Sequence, residues 1–583
     1  MFNIVRLATH TAPSHEPWWK QCVNVQPLRT TRSRFGVSTS RLPSRRTPLY
    51  VKSSAIKKRK FGRFPAAICA RANPAEAAPP IPRTSRLVIA MVKTLLNAFA
   101  RVNVLRYIRL PRRSRLASLS RRYFLGTAAA SSLRALRGAY GKRPNILFFF
   151  PDQHRFDWTC LNRELDVRMP NLAAVAKSGV TFRNTLVASP LCAPSRACLA
   201  AGKEYDRCGV RDNGEDYPVQ QTTFYSLLRD SGYRVMACGK IDLHKASPSW
   251  GLDGKHLLPE WGFSDGIDNA GKMDAISSGA DRPRDPYMAF LEREGLREMH
   301  VADFRKRAGR QYALTDPTPL PDRAYCDNWV AENGLKLLRG SPKNVPWFLM
   351  VNFTGPHPPV DITGSMERTC RGRGYPQPNE STEFDRETHT AIRQNYSAMV
   401  ENIDHWLGAY LEELRRRGEH ENTLIVYSSD HGEMLGDHNR WGKTLPYHPS
   451  VGVPLVVAGP GVAARGVSDA LVSHIDLAAS FLESAGRHTP KEMDSRSLWP
   501  LLSARALHHR EFVRSGLWKW RMVYDGKHKL IRGFDPRIKS NQSAAVGGTV
   551  PDLLFDLQSD PLENADLAQS KGDVVERLRK HLV

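Results

Sequence analysis

Cys192 stands in Ser189-Pro190-Leu191-Cys192-Ala193-Pro194-Ser195-Arg196, a segment that could hold a thiol where negative charge is favoured. Pro194 suits the first turn of a helix, which puts the thiol at or just before a helix N-terminus. Backbone amides and the helix dipole favour an anion there and lower a thiol's pKa. Arg196 would point back to the same end. Cys198, Cys208 and Cys238 read instead as half-buried structural cysteines. Asp152, Gln153 and Asp430 offer the carboxylate and amide oxygens that a hard divalent cation takes, and His431 adds an imidazole nitrogen or a hydrogen bond. Lys240 and Lys443 could present point charges to a tetrahedral oxyanion, and His357 could donate or accept a proton. Taken singly, such lysines are ordinarily surface ion pairs, so their grouping has to come from the fold.

Short apolar runs alternate with amphipathic segments from Arg143 onwards, the pattern of an α/β protein. Asn145–Phe150 (NILFFF) lies between two prolines and reads as a buried strand. Tyr233–Cys238, Trp347–Phe353, Leu424–Tyr427 and Leu455–Ala458 read likewise. Pro170–Ser178 is expected to be a short helix ended by Gly179. Ile392, Tyr396, Met399, Ile403, Trp406, Tyr410 and Leu414 form a helical stripe at spacings of three and four. Its far end is expected to be solvated by Arg415, Arg416 and Arg417. This alternation predicts a mostly parallel sheet with helices on both faces. In such a sheet ligands gather at the carboxyl edge, and chemically competent residues follow several of the predicted strands. Asp152 and Gln153 follow the first, Lys240 the second, His357 the third, and Asp430 and His431 the fourth.

From about residue 506 the pattern changes. Met522-Val523-Tyr524 and Lys529-Leu530-Ile531 flank Asp525-Gly526, a hairpin signal, and Leu553-Leu554-Phe555 adds a further strand. Residues 506–583 are therefore expected to form a small antiparallel subdomain after a catalytic domain over 143–505.

The chain has 583 residues and a formal charge of +27. Residues 1–142 hold 29 of the 85 basic residues and two of the 58 acidic ones, so this leader carries the whole excess. A neutral body lacks the basic face that nucleic-acid binding requires, and no nucleic-acid partner is expected for it. The leader is rich in Arg, Ser, Pro and Ala, and is expected to be mostly disordered. Ser120-Arg121-Arg122-Tyr123-Phe124-Leu125-Gly126 resembles a twin-arginine export signal, which would send the protein to the periplasm or outside the cell. No apolar run reaches the ~20 residues of a membrane span.

The order of these blocks resembles that of the type I sulfatases. Cys192-x-Pro194-Ser195-Arg196 is similar to the signature whose cysteine is oxidised to formylglycine. RPNILFFFPDQ (143–153), GKIDLHK (239–245), TGPHPP (354–359), SSDHGEMLGDH (428–438) and Trp441-Gly442-Lys443 resemble further family blocks in order, across roughly residues 143–570. The resemblance implies an alkaline-phosphatase-like α/β/α sandwich with a small C-terminal sheet. It implies a divalent cation, usually calcium, on Asp152, Asp430, His431 and the modified Cys192, with Gln153 close by. The hydrated aldehyde would attack sulfur in line beside Arg196, while Lys240 and Lys443 balance the sulfuryl charge. His357 would bind sulfate or protonate the leaving alcohol. A formylglycine-generating enzyme is the implied maturation partner, and a small-molecule or carbohydrate sulfate ester the implied substrate.

Three positions depart from the family pattern. Asp152-Gln153 replaces a pair of aspartates and resembles the choline-sulfatase-like and phosphonate-monoester-hydrolase branch. Asp242 stands where histidine is common, with His244 two residues on. Ala201 replaces a threonine. Two alternatives to a sulfatase follow: a phosphonate monoester or phosphodiester hydrolase on the same scaffold, and an inactive homologue that binds sulfated glycans.

Overall fold

The computed structural model describes residues 143–582. The leader and its twin-arginine segment lie outside the described residues. Eight strands form the main sheet: β1 (Asn145–Phe149), β2 (Gly179–Leu186), β3 (Arg234–Gly239), β4 (Asp265–Asp268), β5 (Trp347–Asn352), β6 (Thr423–Tyr427), β7 (Leu455–Ala458) and β8 (Gly466–Ser473). Their spatial order is β4-β3-β5-β1-β6-β7-β2-β8. The first five in that order run parallel, and β2 and β8 are also a parallel pair. Strand β7 is antiparallel to both of its neighbours.

The apolar run at the start of the body becomes a central strand because both of its faces are covered. Ile146, Phe148 and Phe150 join one core, whereas Leu147 and Phe149 join the other. Helices α2 (Cys192–Ala201), α3 (Phe224–Asp230) and α6 (Asp476–Ser484) supply the first core through Ala197, Leu199, Phe224, Leu228 and Phe481. Helices α1 (Pro170–Lys177), α4 (Cys326–Arg339) and α5 (Arg386–Arg417) supply the second. The expected mixed α/β fold, with a mostly parallel sheet between helical layers, is the observed one.

Helix α5 carries the predicted stripe, with Asp385 accepting from the Thr388 amide at its start and Gly418 (φ +69°) at its end. One expectation at its far end fails. Arg415 and Arg416 are exposed, but Arg417 is buried and pairs with Glu419 at 2.6 Å while donating to the Ser341 carbonyl. Gly179 likewise does not cap α1. It opens β2, where a Cβ would stand 2.1 Å from the Val457 carbonyl oxygen.

The C-terminal strands β9 (Val513–Leu517), β10 (Trp520–Tyr524), β11 (His528–Arg532) and β12 (Leu553–Asp556) form a separate antiparallel sheet. The expected hairpin is present, with Val523 opposite Leu530. Helix α7 (Gly572–Arg579) covers one face through Val575 and Leu578. The other face, through Leu517, Trp520 and Met522, joins the first core.

Candidate functional site

Strands β3, β5, β1 and β6 are parallel neighbours, so the segments that follow them emerge at one edge. Asp152 and Gln153 come three and four residues after β1, and Lys240 directly follows β3. His357 lies five residues beyond β5, and Asp430 and His431 just beyond β6. Cys192 is the first residue of α2, as Pro194 predicts.

One ligand atom from each of Asp152, Cys192, Asp430 and His431 lies within 4.8 Å of all the others, and all four residues are buried. The Cys192 Sγ is 3.3 Å from His431 Nε2 and 3.8 Å from Asp152 Oδ1. Positive side chains close the ring. Lys443 Nζ lies 2.9 Å from Sγ and Lys240 Nζ 3.5 Å from it, with Lys240 also donating to Asp152. Arg196 Nε donates to Asp430 Oδ2 at 3.0 Å, and its terminal nitrogen reaches Asp152 at 3.6 Å. The same guanidinium holds the Asn352 side chain at 3.2 Å and the Lys240 carbonyl, which locks one end of the group.

The electrostatics follow from burial opposed by charge. Burial would raise the Asp152 carboxyl, but Lys240, Lys443, His357 and Arg196 hold it well below the usual range. Burial and Asp152 both raise the Cys192 thiol, yet Lys240, Lys443 and His431 outweigh them and bring it down to about 5. Burial lowers Lys240, and Asp152, Asp242 and Cys192 more than restore it, so its pKa lies well above the ordinary value. Burial and Lys443 push His357 well below 6.5 against the pull of Asp152.

Four donors so placed suit a hard cation. Gln153 supports this fit. Its backbone amide donates to Asp430 Oδ1 at 2.9 Å and its Nε2 donates to Glu433, but its buried Oε1 has no partner. A buried amide oxygen without a donor is costly unless a cation or water satisfies it.

The cleft over this group has a volume of about 480 Å³ and is lined by Gln153, Cys192, Lys240, His357 and Lys443 among others. His357 Nδ1 lies 2.6 Å from the Pro358 carbonyl, which can only accept, so this nitrogen carries the proton. His244 is elsewhere. It is bonded to Asp268 at 2.9 Å and flanked by Trp250 and Trp261. Asp242 instead bridges two lysines, Lys240 at 3.1 Å and Lys245 at 3.0 Å.

Several contributing residues carry no signal in the sequence. Glu433 is fully buried and accepts from Gln153, Tyr312 and the amides of Leu435 and Gly442. Asn541 donates to the carbonyls of Trp441 and Lys443, and Trp520 to that of Thr444. Only the position of Glu433 inside a block already singled out could have pointed to it.

Comparison with known proteins places the chain in a family. The family model "Sulfatase" matches residues 144–487, and the model "N-sulphoglucosamine sulphohydrolase, C-terminal" matches residues 436–583. An arylsulfatase of Clostridium perfringens is 25% identical over 470 residues, covering 76% of this chain and 94% of that protein. Among solved structures, one in complex with its substrate D-glucosamine-2-N,6-O-disulfate has a TM-score of 0.59 at 19% identity, covering 76% of this chain and 97% of that one. A phosphonate monoester hydrolase of Agrobacterium radiobacter has a TM-score of 0.61 at 20% identity, covering 76% and 95%. With a family model spanning more than half of its length, this chain belongs to the sulfatase family of sulfuric ester hydrolases.

Proposed function

We propose that the protein releases inorganic sulfate from a sulfate ester through a formylglycine made from Cys192, beside a calcium or similar divalent ion. Asp152, Asp430, His431 and the modified Cys192 would hold that ion, with the free Gln153 Oε1 close by. The observation that carries this reading is the convergence of two carboxylates, an imidazole and the Cys192 sulfur within 4.8 Å, faced by two lysines. Oxidation puts oxygen on the Cys192 Cβ in place of sulfur, so the Sγ contacts stand in for those of that oxygen. The hydrated aldehyde would supply a geminal diol, whose second hydroxyl no encoded side chain has, and the cation would supply positive charge for the sulfuryl oxygens.

The chain's own residues do the rest. Lys240 and Lys443 both reach the Cys192 Sγ and would neutralise charge on the transferring group. Arg196 fixes Asp430 and the Lys240 backbone, and so holds the frame rigid. His357 keeps Nδ1–H on Pro358, leaving Nε2 free. The negative charge of a bound ester favours protonation of Nε2, which can then donate to the leaving oxygen. A formylglycine-generating enzyme would mature the protein, and the Arg121-Arg122 segment would direct its export.

Parallel rate measurements on 4-nitrophenyl sulfate and 4-nitrophenyl phenylphosphonate test the reading. Sulfate release should dominate. Much faster phosphonate cleavage would replace the substrate class, as the Asp152-Gln153 pair and the phosphonate hydrolase fold would then suggest.

A further inference from the structure

The hairpin between β9 and β10 turns in two residues, Trp518 and Lys519, because Leu517 pairs directly with Trp520. Trp518 adopts φ +50°. The first central position of such a turn is where glycine is the default, since a Cβ at positive φ crowds the backbone. A bulky aromatic there is strained, and strain of this kind persists only where the surrounding structure over-determines it, as it does most often at functional sites.

Trp518 lines the cleft over Cys192. Its neighbour Trp520 is fully buried and donates its indole N–H to the Thr444 carbonyl, as a structural tryptophan does. The Trp518 indole N–H finds no partner, and the residue is only half-buried. The other two large aromatics of the cleft are tied down. Trp441 donates to Glu383 and stacks on His389, and Tyr312 donates to Glu433. The Trp518 amide donates to the Tyr205 hydroxyl and its carbonyl accepts from Arg521, so the turn is held, and what lacks a hydrogen-bond partner is the indole, in a cleft that polar residues such as Asn213 and Gln311 also line.

We infer that Trp518 is a specificity-determining residue that packs against a ring in the leaving group of the sulfate ester. This inference rests on the sulfatase reading of the cleft and narrows it to ring-bearing esters. An aryl ring and a pyranose ring both offer the flat apolar face that an indole covers.

The test is calorimetric binding to the full chain carrying Cys192→Ala, in the presence of calcium, so that neither maturation nor turnover enters. The probes are 4-nitrophenyl sulfate, glucose 6-sulfate, methyl sulfate and inorganic sulfate. Trp518→Gly should weaken at least one of the two ring-bearing esters about tenfold, and the one affected more identifies the ring type. Methyl sulfate and inorganic sulfate should bind as before, and Trp518→Tyr should restore most of the lost affinity. Equal weakening of all four probes would make Trp518 a structural residue and overturn the inference. Unchanged binding of both ring esters would also overturn it. If the parent binds none of the probes, the sulfatase reading of the cleft falls, and this inference with it.

Discussion

Lys443 Nζ stands 2.9 Å from Cys192 Sγ, although 251 positions separate the two residues. The loop that carries this lysine is held by the C-terminal region. Asn541 donates to the carbonyls of Trp441 and Lys443 at 3.2 and 3.1 Å, and Trp520 to that of Thr444 at 3.1 Å. The Thr444 amide in turn donates to the Pro190 carbonyl at 3.0 Å, two residues before Cys192. The second sheet therefore sets the distance between a cation and the candidate nucleophile.

Removing the Asn541 amide should loosen Lys443 without touching the nucleophile. Each lost bond to a main-chain carbonyl is worth about 1 kcal/mol, and displacement of the Lys443 ammonium from Cys192 would add to that. Asn541→Ala is expected to lower kcat about tenfold or more while the melting temperature changes little. Steady-state kinetics and thermal melts check this; an unchanged kcat would detach the C-terminal sheet from catalysis.

Arg196 joins Asp430, Asp152, Asn352 and the Lys240 carbonyl through one planar fork. Lysine keeps the charge but cannot reproduce that geometry. Arg196→Lys should cost about 1.5–3 kcal/mol for each charged hydrogen bond lost, and most of the activity. Denaturant unfolding and turnover on the same preparations measure both, and a variant of parental stability would contradict the bonding described.

Two of the four converging groups are carboxylates, so the site should bind a cation that stabilises the fold by mass action. Calcium is expected to raise the melting temperature of the parent, and a chelator to reverse the effect. Asp430→Asn should abolish most of that response. A calcium-dependent shift of parental size in the variant would place the ion elsewhere.

His300 lies far along the chain from the active-site blocks, fully buried against Tyr287 and Phe304, with neither ring nitrogen partnered. Burial pushes its pKa from 6.5 down to about 4. The unfolded chain thus binds a proton below pH 6.5 that the folded chain does not take until about pH 4. Its contribution to stability is complete above pH 6.5 and is lost as pH falls through that window, by about 3 kcal/mol. His300→Phe should remove this loss. Urea unfolding of parent and variant between pH 7 and 4 measures the difference, and parallel stability curves would refute it.

How much of this was legible in the sequence depended on what each residue's neighbours reveal. The strands Asn145–Phe149 and Trp347–Asn352 are continuous apolar runs because both faces are covered, and such runs stand out. Strand β8 is half exposed and β2 mixes Thr, Arg and Asn with apolar residues, so neither announces itself. The reversed direction of β7 is invisible in four apolar residues. Asp152, Lys240, Asp430 and His431 could be found because each follows a readable strand at the same sheet edge. Asn541 and Trp518 could not, because they lie on connections between strands of a different sheet and approach the cleft only through tertiary packing. The long segments 247–327 and 361–390 carry no readable motif, and they differ in what they bring to the cleft. The first supplies Lys272, Asp274 and Tyr312 to the cleft, and the second lines none of it.

The central claim is that the side chain of residue 192 is an aldehyde in the working enzyme. Peptide mass spectrometry across Cys192, on protein produced with a formylglycine-generating enzyme and active on a sulfate ester, tests it most directly. The expected result is a peptide bearing the formylglycine mass, in a proportion that tracks specific activity across preparations. An active preparation in which that peptide carries only an intact thiol would contradict it.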